Sequence, residues 1–293
     1  MKISELLKQD GYRLSFEVFP PKRDSGLESV RYATEEIAKL RPSFVSVTYG
    51  AGGGTSDFTL DIAKNIKEKT GVPVLAHITC VSSNRAKVAA YIERLKYAGI
   101  ENVMALRGDL TPEMEGQDRS NWDYRYAYQL VEELKATGDF CIGGACYPEV
   151  HPESASRVED VRHLKQKVEA GCDFLTSQMF FDNDLFYSFL YRVRDIGIDV
   201  PVIPGIMPIT NANQVEKALK LSGSHMPIRF LSLVDRFGSN AAAMEQAGII
   251  YASEQIIDLY ANGIRNVHVY TMNKPAVAEG ILRSVSAILG QAA

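Results

Sequence analysis

Residues 15–22 read SFEVFPPK. Together with Leu14, the apolar residues Phe16, Val18 and Phe19 predict a short buried strand, which Pro20 and Pro21 end abruptly. One carboxylate, Glu17, lies among them. A charged group in a buried strand is costly unless it is paired, hydrogen-bonded or neutralised. Burial favours the protonated form of a carboxyl group, which is how an enzyme keeps an acid loaded near neutral pH. Glu17 is therefore a candidate acid; a structural ion pair, or a Glu facing solvent from an edge strand, fits the same residue.

Outward from this strand the chain alternates. Asp24–Leu40 carries Leu27, Val30, Ile37 and Leu40 at helical spacing, with Ser25 and Glu28 placed as a capping box. Strands are predicted at Phe44–Gly50, Val72–Cys80, Asn102–Asp109, Phe140–Tyr147, Asp173–Phe181, Pro201–Met207 and Asn266–Asn273. Amphipathic stripes fill the gaps: Val88, Ile92 and Leu95; Val158, Val161, Leu164 and Val168; Phe186, Phe189 and Val193; Val277, Ile281, Val285 and Ile288. Gly71, Gly99, Gly138, Gly171, Gly197 and Gly263 fall where helices should end. Eight strand–helix units in a row, spaced by about 30 residues, predict an α/β fold, a (β/α)8 TIM barrel. Extra helices are expected between strands seven and eight, in Pro227–Phe237 and Asn240–Tyr260. A doubly wound open sheet fits the same alternation. No linker or composition shift divides the chain, so residues 1–293 are expected to form a single catalytic domain.

Composition narrows the function. The 293 residues are 46% hydrophobic and 23% charged, with a net charge of −4 and no long basic run, which argues against a nucleic-acid partner. Cys80, Cys141, Cys146 and Cys172 have no C-x-x-C spacing and are expected as buried thiols in a reducing compartment. The N-terminus lacks the apolar core of a signal peptide, and no apolar run approaches a membrane span. A cytoplasmic location without membrane partners is the expectation.

In a barrel the catalytic groups sit at the C-terminal ends of the strands. There the sequence places Glu17; Thr48 and Tyr49; His77; Arg107, Gly108 and Asp109; Tyr147 and His151; Gln178; and Thr271, Asn273 and Lys274. Several chemistries are set aside. Gly50–Thr55 (GAGGGT) is neither a dinucleotide fingerprint nor a P-loop, though its backbone N–H groups ahead of a helix are a weak anion-site signal. His77, His151, His163, His225 and His268 form no metal-spaced pair, so no metal site is expected. Lys274, at the rim, is poorly placed for a Schiff base.

SFEVFPPK, FVSVTYGAGG, HITC, ALRGD, YPEVHPE, TSQMFFD, IPGIMPITN and HVYTMNK occur in this order, each at a predicted strand end. Together they resemble the catalytic barrel of methylenetetrahydrofolate reductases, from about Leu14 to about Lys274. The resemblance implies FAD as cofactor, NADH or NADPH as co-substrate, and reduction of 5,10-methylenetetrahydrofolate to 5-methyltetrahydrofolate by a ping-pong mechanism. It further implies a role in one-carbon metabolism and methionine synthesis, and a homo-oligomer, dimer or tetramer. Carried over by motif, Thr48, Tyr49, His77, Arg107, Gly108, Asp109, Ala127, Tyr147, His151, Asp160 and Lys167 would contact FAD. Glu17 would donate the proton, Asp109 would lie between flavin and folate, and Gln178, Gln214 and Lys274 would face the folate.

Three departures follow from the same alignment. His163 and Gln166 stand where bacterial relatives have an Asn and an Arg, which predicts weaker FAD retention. Ala218 stands where a stacking Phe is common. Lys274 replaces an Arg and cannot grip a carboxylate in bidentate fashion. The eukaryotic relatives carry a further regulatory domain, and the expectation here is the catalytic barrel alone. A cofactor-free or metal-dependent barrel lyase or pterin synthase, and a non-enzymatic flavin-binding protein, are the rival classes; the absorption spectrum separates them.

Overall fold

The alternation of Leu14, Phe16 and Val18 with Ser15 and Glu17 sends the first set outward to a helix layer and the second inward. The computed structural model describes residues 1–21, 23–50, 56–110, 114, 118–119 and 122–290. In it, β1 (Arg13–Val18), β2 (Val45–Val47), β3 (Val74–Thr79), β4 (Asn102–Leu106), β5 (Cys141–Cys146) and β6 (Phe174–Ser177) pair in sequence order, all parallel. The seventh position is split at Pro204: β7 (Val202–Ile203) pairs with β6, and β8 (Gly205–Ile206) pairs with β9 (Asn266–Tyr270). Since β9 also pairs with β1, the ring closes as a (β/α)8 barrel and the open sheet is excluded.

Two hydrogen bonds carry the closure past the proline. His268 N–H donates to Pro204 O (2.9 Å), and Gly205 N–H donates to Ser177 Oγ (2.9 Å). A proline can sit here because its missing N–H is at a break in the ladder.

Helices α1 (Ile3–Leu6), α2 (Leu27–Lys39), α3 (Ser56–Thr70), α4 (Arg85–Tyr97), α5 (Ala127–Thr137), α6 (Arg157–Glu169), α7 (Asn183–Asp195), α8 (Asn213–Ser222), α9 (Ile228–Phe237), α10 (Ala241–Ala261) and α11 (Pro275–Val285) follow in chain order. The extra helices expected between the last two barrel positions are α9 and α10, and α8 precedes them. Asn84, Ser156, Asp182 and Asn240 cap α4, α6, α7 and α10 through their side chains.

Outward-facing residues such as Phe16, Val45, Ala76, Val103, Leu175 and Val269 build the main apolar core against these helices. Inside the barrel a separate floor of Phe44, Leu75, Met104, Cys141, Phe174 and Ile203 is plugged from below by Ile3 and Leu7. Gly143 gives the Phe174 ring its space: a Cβ there would lie 2.7 Å from the ring.

Several local expectations change. Every strand stops short of its predicted C-terminal end, because the polar motifs leave the sheet as loops. The Ser25–Glu28 capping box does not form: Asp24–Gly26 is a 3-10 turn, and α2 starts after Gly26 without a side-chain cap. Gly71, Gly99, Gly171, Gly197 and Gly263 have positive φ, whereas Gly138 is extended at −165°. Phe19 (38% exposed) and Val158 face solvent, since Phe19 lies beyond the end of β1 and Val158 on the outer side of α6. All four cysteines are free and buried. Residues 51–55 of the glycine-rich loop lie outside the described residues. Among the described residues no helix is long and apolar enough to cross a membrane.

The seam at Pro204 has no room for a side chain on its next residue. A Cβ on Gly205 would collide with Ser177 O and Tyr270 Oη, one backbone and one held by its own hydrogen bond. Gly205→Ala should therefore cost about 1–3 kcal/mol, the usual penalty for overpacking, measured as a lower midpoint in urea with unchanged slope.

Candidate active site

The upper interior of the barrel is polar, and its register follows from the pleat. Ser15 and Glu17 point inward from β1, Ser46 from β2, His77 from β3, and His268 and Tyr270 from β9. Ser46 Oγ donates to Glu17 Oε2 (3.2 Å) and lies 3.0 Å from His268 Nε2. Ser15 Oγ donates to Val267 O (3.1 Å) and lies 2.7 Å from His268 Nδ1. Glu17 Oε2 is 3.8 Å from both His77 Nε2 and His268 Nε2, and the Glu17 side chain keeps 21% of its surface exposed. Glu17 is thus not sealed into a strand: one oxygen enters a hydrogen-bonded frame while part of the side chain faces the open end.

Burial lowers His77 to about 4; Glu17 opposes the shift and His268 adds to it, leaving a neutral imidazole beside the carboxyl. Burial also raises Tyr270 far above the ordinary phenol range, and its hydroxyl donates to Ser177 O (2.5 Å). The Cys80, Cys146 and Cys172 thiols are pushed up to about 12 by burial, which removes them as nucleophiles.

Beyond the strand ends, Arg107 pairs with Glu153 (2.5 Å), while Gly108 has φ +86° and packs where a Cβ would meet Thr79 at 2.9 Å. Asp109 is exposed beside Tyr147 and Arg107. Burial raises Tyr147, with Asp109 adding to the shift, and Gln178 is within hydrogen-bond reach of its hydroxyl. The Tyr147 ring meets His151 edge-on at 4.6 Å. Burial, then Arg107, lowers His151, whose Nδ1 accepts from Glu153 N–H (3.1 Å). Asp160 accepts from Ser154 Oγ (3.0 Å), and Lys167 Nζ donates to Ala145 O (2.5 Å). On the other side Gln214 Oε1 accepts from Thr210 N (2.9 Å) and Asn211 N (3.0 Å), and Lys274 Nζ donates to Thr210 Oγ1 (2.9 Å). Gln214 and Lys274 are therefore joined through Thr210.

The end of β9 is tied to the end of β1. Thr271 Oγ donates to Glu17 O (2.7 Å), and Asn273 both accepts from Phe19 N–H (2.9 Å) and donates to Phe19 O (2.8 Å). Met272 and Asn273 both take φ +54° to make this turn, a conformation that is uncommon outside glycine.

The Tyr49 ring packs edge-on against Tyr91 at 5.6 Å, in the helix layer. Thr48 acts through its backbone, bonded to Val18 O and Thr59 Oγ1, and Ala127 is the first residue of α5. His163 and Gln166 are exposed on α6. Ala218 is fully buried with Met179, Phe181 and Met207, so its side chain faces a core and not the open end. Ser15, Ser46, His268 and Thr210 were not predicted site residues. For the first three, the period of two counted from Glu17 and its pairing partners was the available signal. Among the described residues no group of three or more His, Cys, Asp or Glu could hold a metal ion.

A sequence-family model described as methylenetetrahydrofolate reductase matches residues 2–286. The chain belongs to the methylenetetrahydrofolate reductase family. It is 34% identical over 277 residues to 5,10-methylenetetrahydrofolate reductase of Pectobacterium carotovorum subsp. carotovorum, covering 94% of this chain and 91% of that one. It is 36% identical over 301 residues to methylenetetrahydrofolate reductase (NADH) 1 of Zea mays, covering 98% of this chain and 50% of the relative. The chain thus spans about half the length of the plant relatives that it matches. Among solved structures, a Clostridium thermocellum protein described as binding two copies of 5-methyl-5,6,7,8-tetrahydrofolic acid superposes with a TM-score of 0.68 over 98% of both chains. At 14% identity that likeness concerns the fold alone. An oxaloacetate acetylhydrolase superposes less well, at 0.53 over 99% of this chain and 85% of the other.

This chain's barrel carries at its centre a histidine, His77, that burial keeps from being protonated. Between pH 6.5 and about 4 an unfolded chain would protonate His77 while the folded one would not, so stability should fall with acid across that window. The loss attributable to His77 should reach about 3 kcal/mol at pH 4. Urea unfolding of wild type and His77→Gln at pH 7 and pH 4 measures it: the wild type should lose that much more than the variant, and parallel losses would refute it.

Proposed function

We propose that this protein reduces 5,10-methylenetetrahydrofolate to 5-methyltetrahydrofolate with FAD as cofactor and NADH or NADPH as electron donor. The two substrates use the open end of the barrel in turn, which makes the mechanism ping-pong. The product is a methyl donor for methionine synthesis, and we place the enzyme in the cytoplasm as a homo-oligomeric single-domain barrel. The observation that carries this reading is Glu17: a carboxyl group part-exposed at the open end, with its inner oxygen held by Ser46 and a neutral imidazole alongside.

The residues present fit a dinucleotide flavin. Two buried polar atoms of the expected cofactor set, His77 Nε2 and Arg107 Nε, have no hydrogen-bond partner among the described residues. Leaving such groups unpaired costs free energy, so they are apt donors or acceptors for a ligand. Arg107 and Lys167 supply positive charge for phosphates; Thr48, His77, Gly108, Asp109, Ala127, Tyr147, His151 and Asp160 complete the proposed binding set. Tyr49 joins the set by its position beside Thr48, with its ring packed on Tyr91 in the helix layer. FAD, when bound, supplies hydride acceptance from the nicotinamide and hydride donation to the folate.

The protein's own work is proton placement and orientation. The methylene bridge of the folate opens once a ring nitrogen is protonated, and Glu17 donates that proton. Asp109, exposed at the end of the ALRGD motif, orients the pterin and places negative charge beside the flavin. Gln178, Gln214 and Lys274 bind the folate, with Lys274 as a point charge steadied by Thr210. The names of the plant relatives specify NADH, which supports a nicotinamide donor.

The test separates the half-reactions by stopped-flow at the flavin band. Glu17→Gln should leave flavin bleaching by NAD(P)H nearly intact and slow reoxidation by methylenetetrahydrofolate by about 10²–10⁴-fold, the usual value of general acid catalysis. Equal slowing of both steps would make Glu17 a positioning residue, and a colourless protein that cannot be loaded with FAD would refute the reading as a whole.

A further inference from the structure

Behind Glu17 stand three side chains that the proposed reaction does not use: Ser15, Ser46 and His268. They are 1%, 0% and 2% exposed, so water does not compete for their hydrogen bonds. The His268 ring is further fixed by stacking on Phe44 at 5.5 Å.

Proton counting assigns the direction of each bond. Val267 O can only accept, so the Ser15 hydroxyl that points to it at 3.1 Å spends its one proton there. Ser15 Oγ then accepts from His268 Nδ1–H across 2.7 Å. A neutral imidazole protonated at Nδ1 has its lone pair on Nε2, which faces Ser46 Oγ at 3.0 Å. Ser46 Oγ in turn is 3.2 Å from Glu17 Oε2. A hydroxyl can donate one bond and accept another, so Ser46 is able to join the two groups that lie 3.8 Å apart on either side of it.

We propose that Glu17, Ser46 and His268 form a proton relay, with Ser15 holding His268 in the tautomer that the relay requires. With the proton on Glu17, the carboxyl O–H donates to Ser46 Oγ and the Ser46 O–H donates to His268 Nε2. When that proton passes to Ser46 Oγ, the proton already on Ser46 passes to Nε2. Glu17 loses one proton, His268 gains one, Ser46 keeps one and no electrons move. The result is a carboxylate and an imidazolium with every hydrogen bond still made. Ser46 and His268 are thus positioning residues: they give Glu17 a second place for its proton inside the barrel. The catalytic meaning of the relay rests on the proposed role of Glu17 as donor to the folate.

Few other groups can take part. His77 faces Glu17 from β3 at 3.8 Å, and burial keeps it neutral. Tyr270 faces it from β9, but its proton is committed to Ser177 O. From β2 the facing polar group is Ser46 itself, and from β1 it is Ser15.

The test uses FAD-loaded protein labelled with 13C in the glutamate carboxyl groups and 15N in the histidine rings. Groups that share a proton titrate with common macroscopic midpoints. The Glu17 carboxyl carbon and the His268 ring nitrogens should therefore show the same two midpoints in the wild type. Ser46→Ala should give each group its own single midpoint, and Ser46→Thr, which restores a hydroxyl, should restore the shared pair. In stopped-flow, Ser46→Ala should slow flavin reoxidation by the folate about tenfold and slow flavin reduction less, and Ser46→Thr should recover most of the rate. Unlinked midpoints in the wild type, or linkage that survives Ser46→Ala, would overturn the relay whatever the rates. Failure of the donor role looks different: Glu17→Gln would then reoxidise at the wild-type rate while the shared midpoints persist.

Discussion

A carboxyl group inside a parallel barrel is tolerable only where its inner oxygen finds a hydrogen-bond donor, because the interior offers little of the solvation that water would give. The upper half of this barrel is arranged around that demand. Ser46 meets Glu17 from the next strand, His268 meets Ser46 from the other side, and Ser15 completes the set from the same strand as Glu17. None of these contacts is local in sequence. Each depends on β2, β1 and β9 lying side by side in one register, so the geometry around Glu17 is a direct reading of how the ring closes.

The division of the interior follows from the same logic. Lower down, Phe44, Leu75, Met104 and Phe174 fill the space with side chains that need no partners, and Ile3 and Leu7 seal them from below. Apolar filling anchors the strands, and polar filling is confined to the end where loops can bring a ligand. The split at Pro204 is the point where both demands meet: a proline interrupts the ladder, and Gly205 lets Ser177 and Tyr270 come close enough to bridge the gap.

Much of this was legible in the sequence. Eight strand–helix alternations, six of them marked by a glycine at the helix end, announced the barrel, and the polar ends of the strands announced the rim. What was missed has physical causes. The Ser25–Glu28 spacing matches a capping box, but a 3-10 turn places Gly26 at the cap, and spacing alone does not fix backbone angles. Tyr49 follows Thr48 at a strand end, yet the pleat turns its ring towards Tyr91. Ala218 was expected at a stacking position, but it lies in a core formed by α8 and its neighbours, and no single-sequence pattern shows that packing. Ser15 and Ser46 look like filler in a strand until the register is known. His268 looks like a lone histidine until β9 is placed beside β1.

The double hydrogen bond of Asn273 to Phe19 joins residues 254 positions apart. Thr271 to Glu17 spans the same distance, and Ser15 to His268 spans 253. During synthesis on the ribosome, the strand that carries Glu17 emerges well before the strand that completes its surroundings, with the whole of the barrel between them. Over that interval Ser15 and Glu17 have no partner on that side, and the nascent chain presents β1 as an unpaired sheet edge. Pairing so remote in sequence is slow to form, since the closure entropy is met before the contacts reward it. The pocket around Glu17 is therefore a late product of maturation, finished only when the final strand docks and stitches the ring shut.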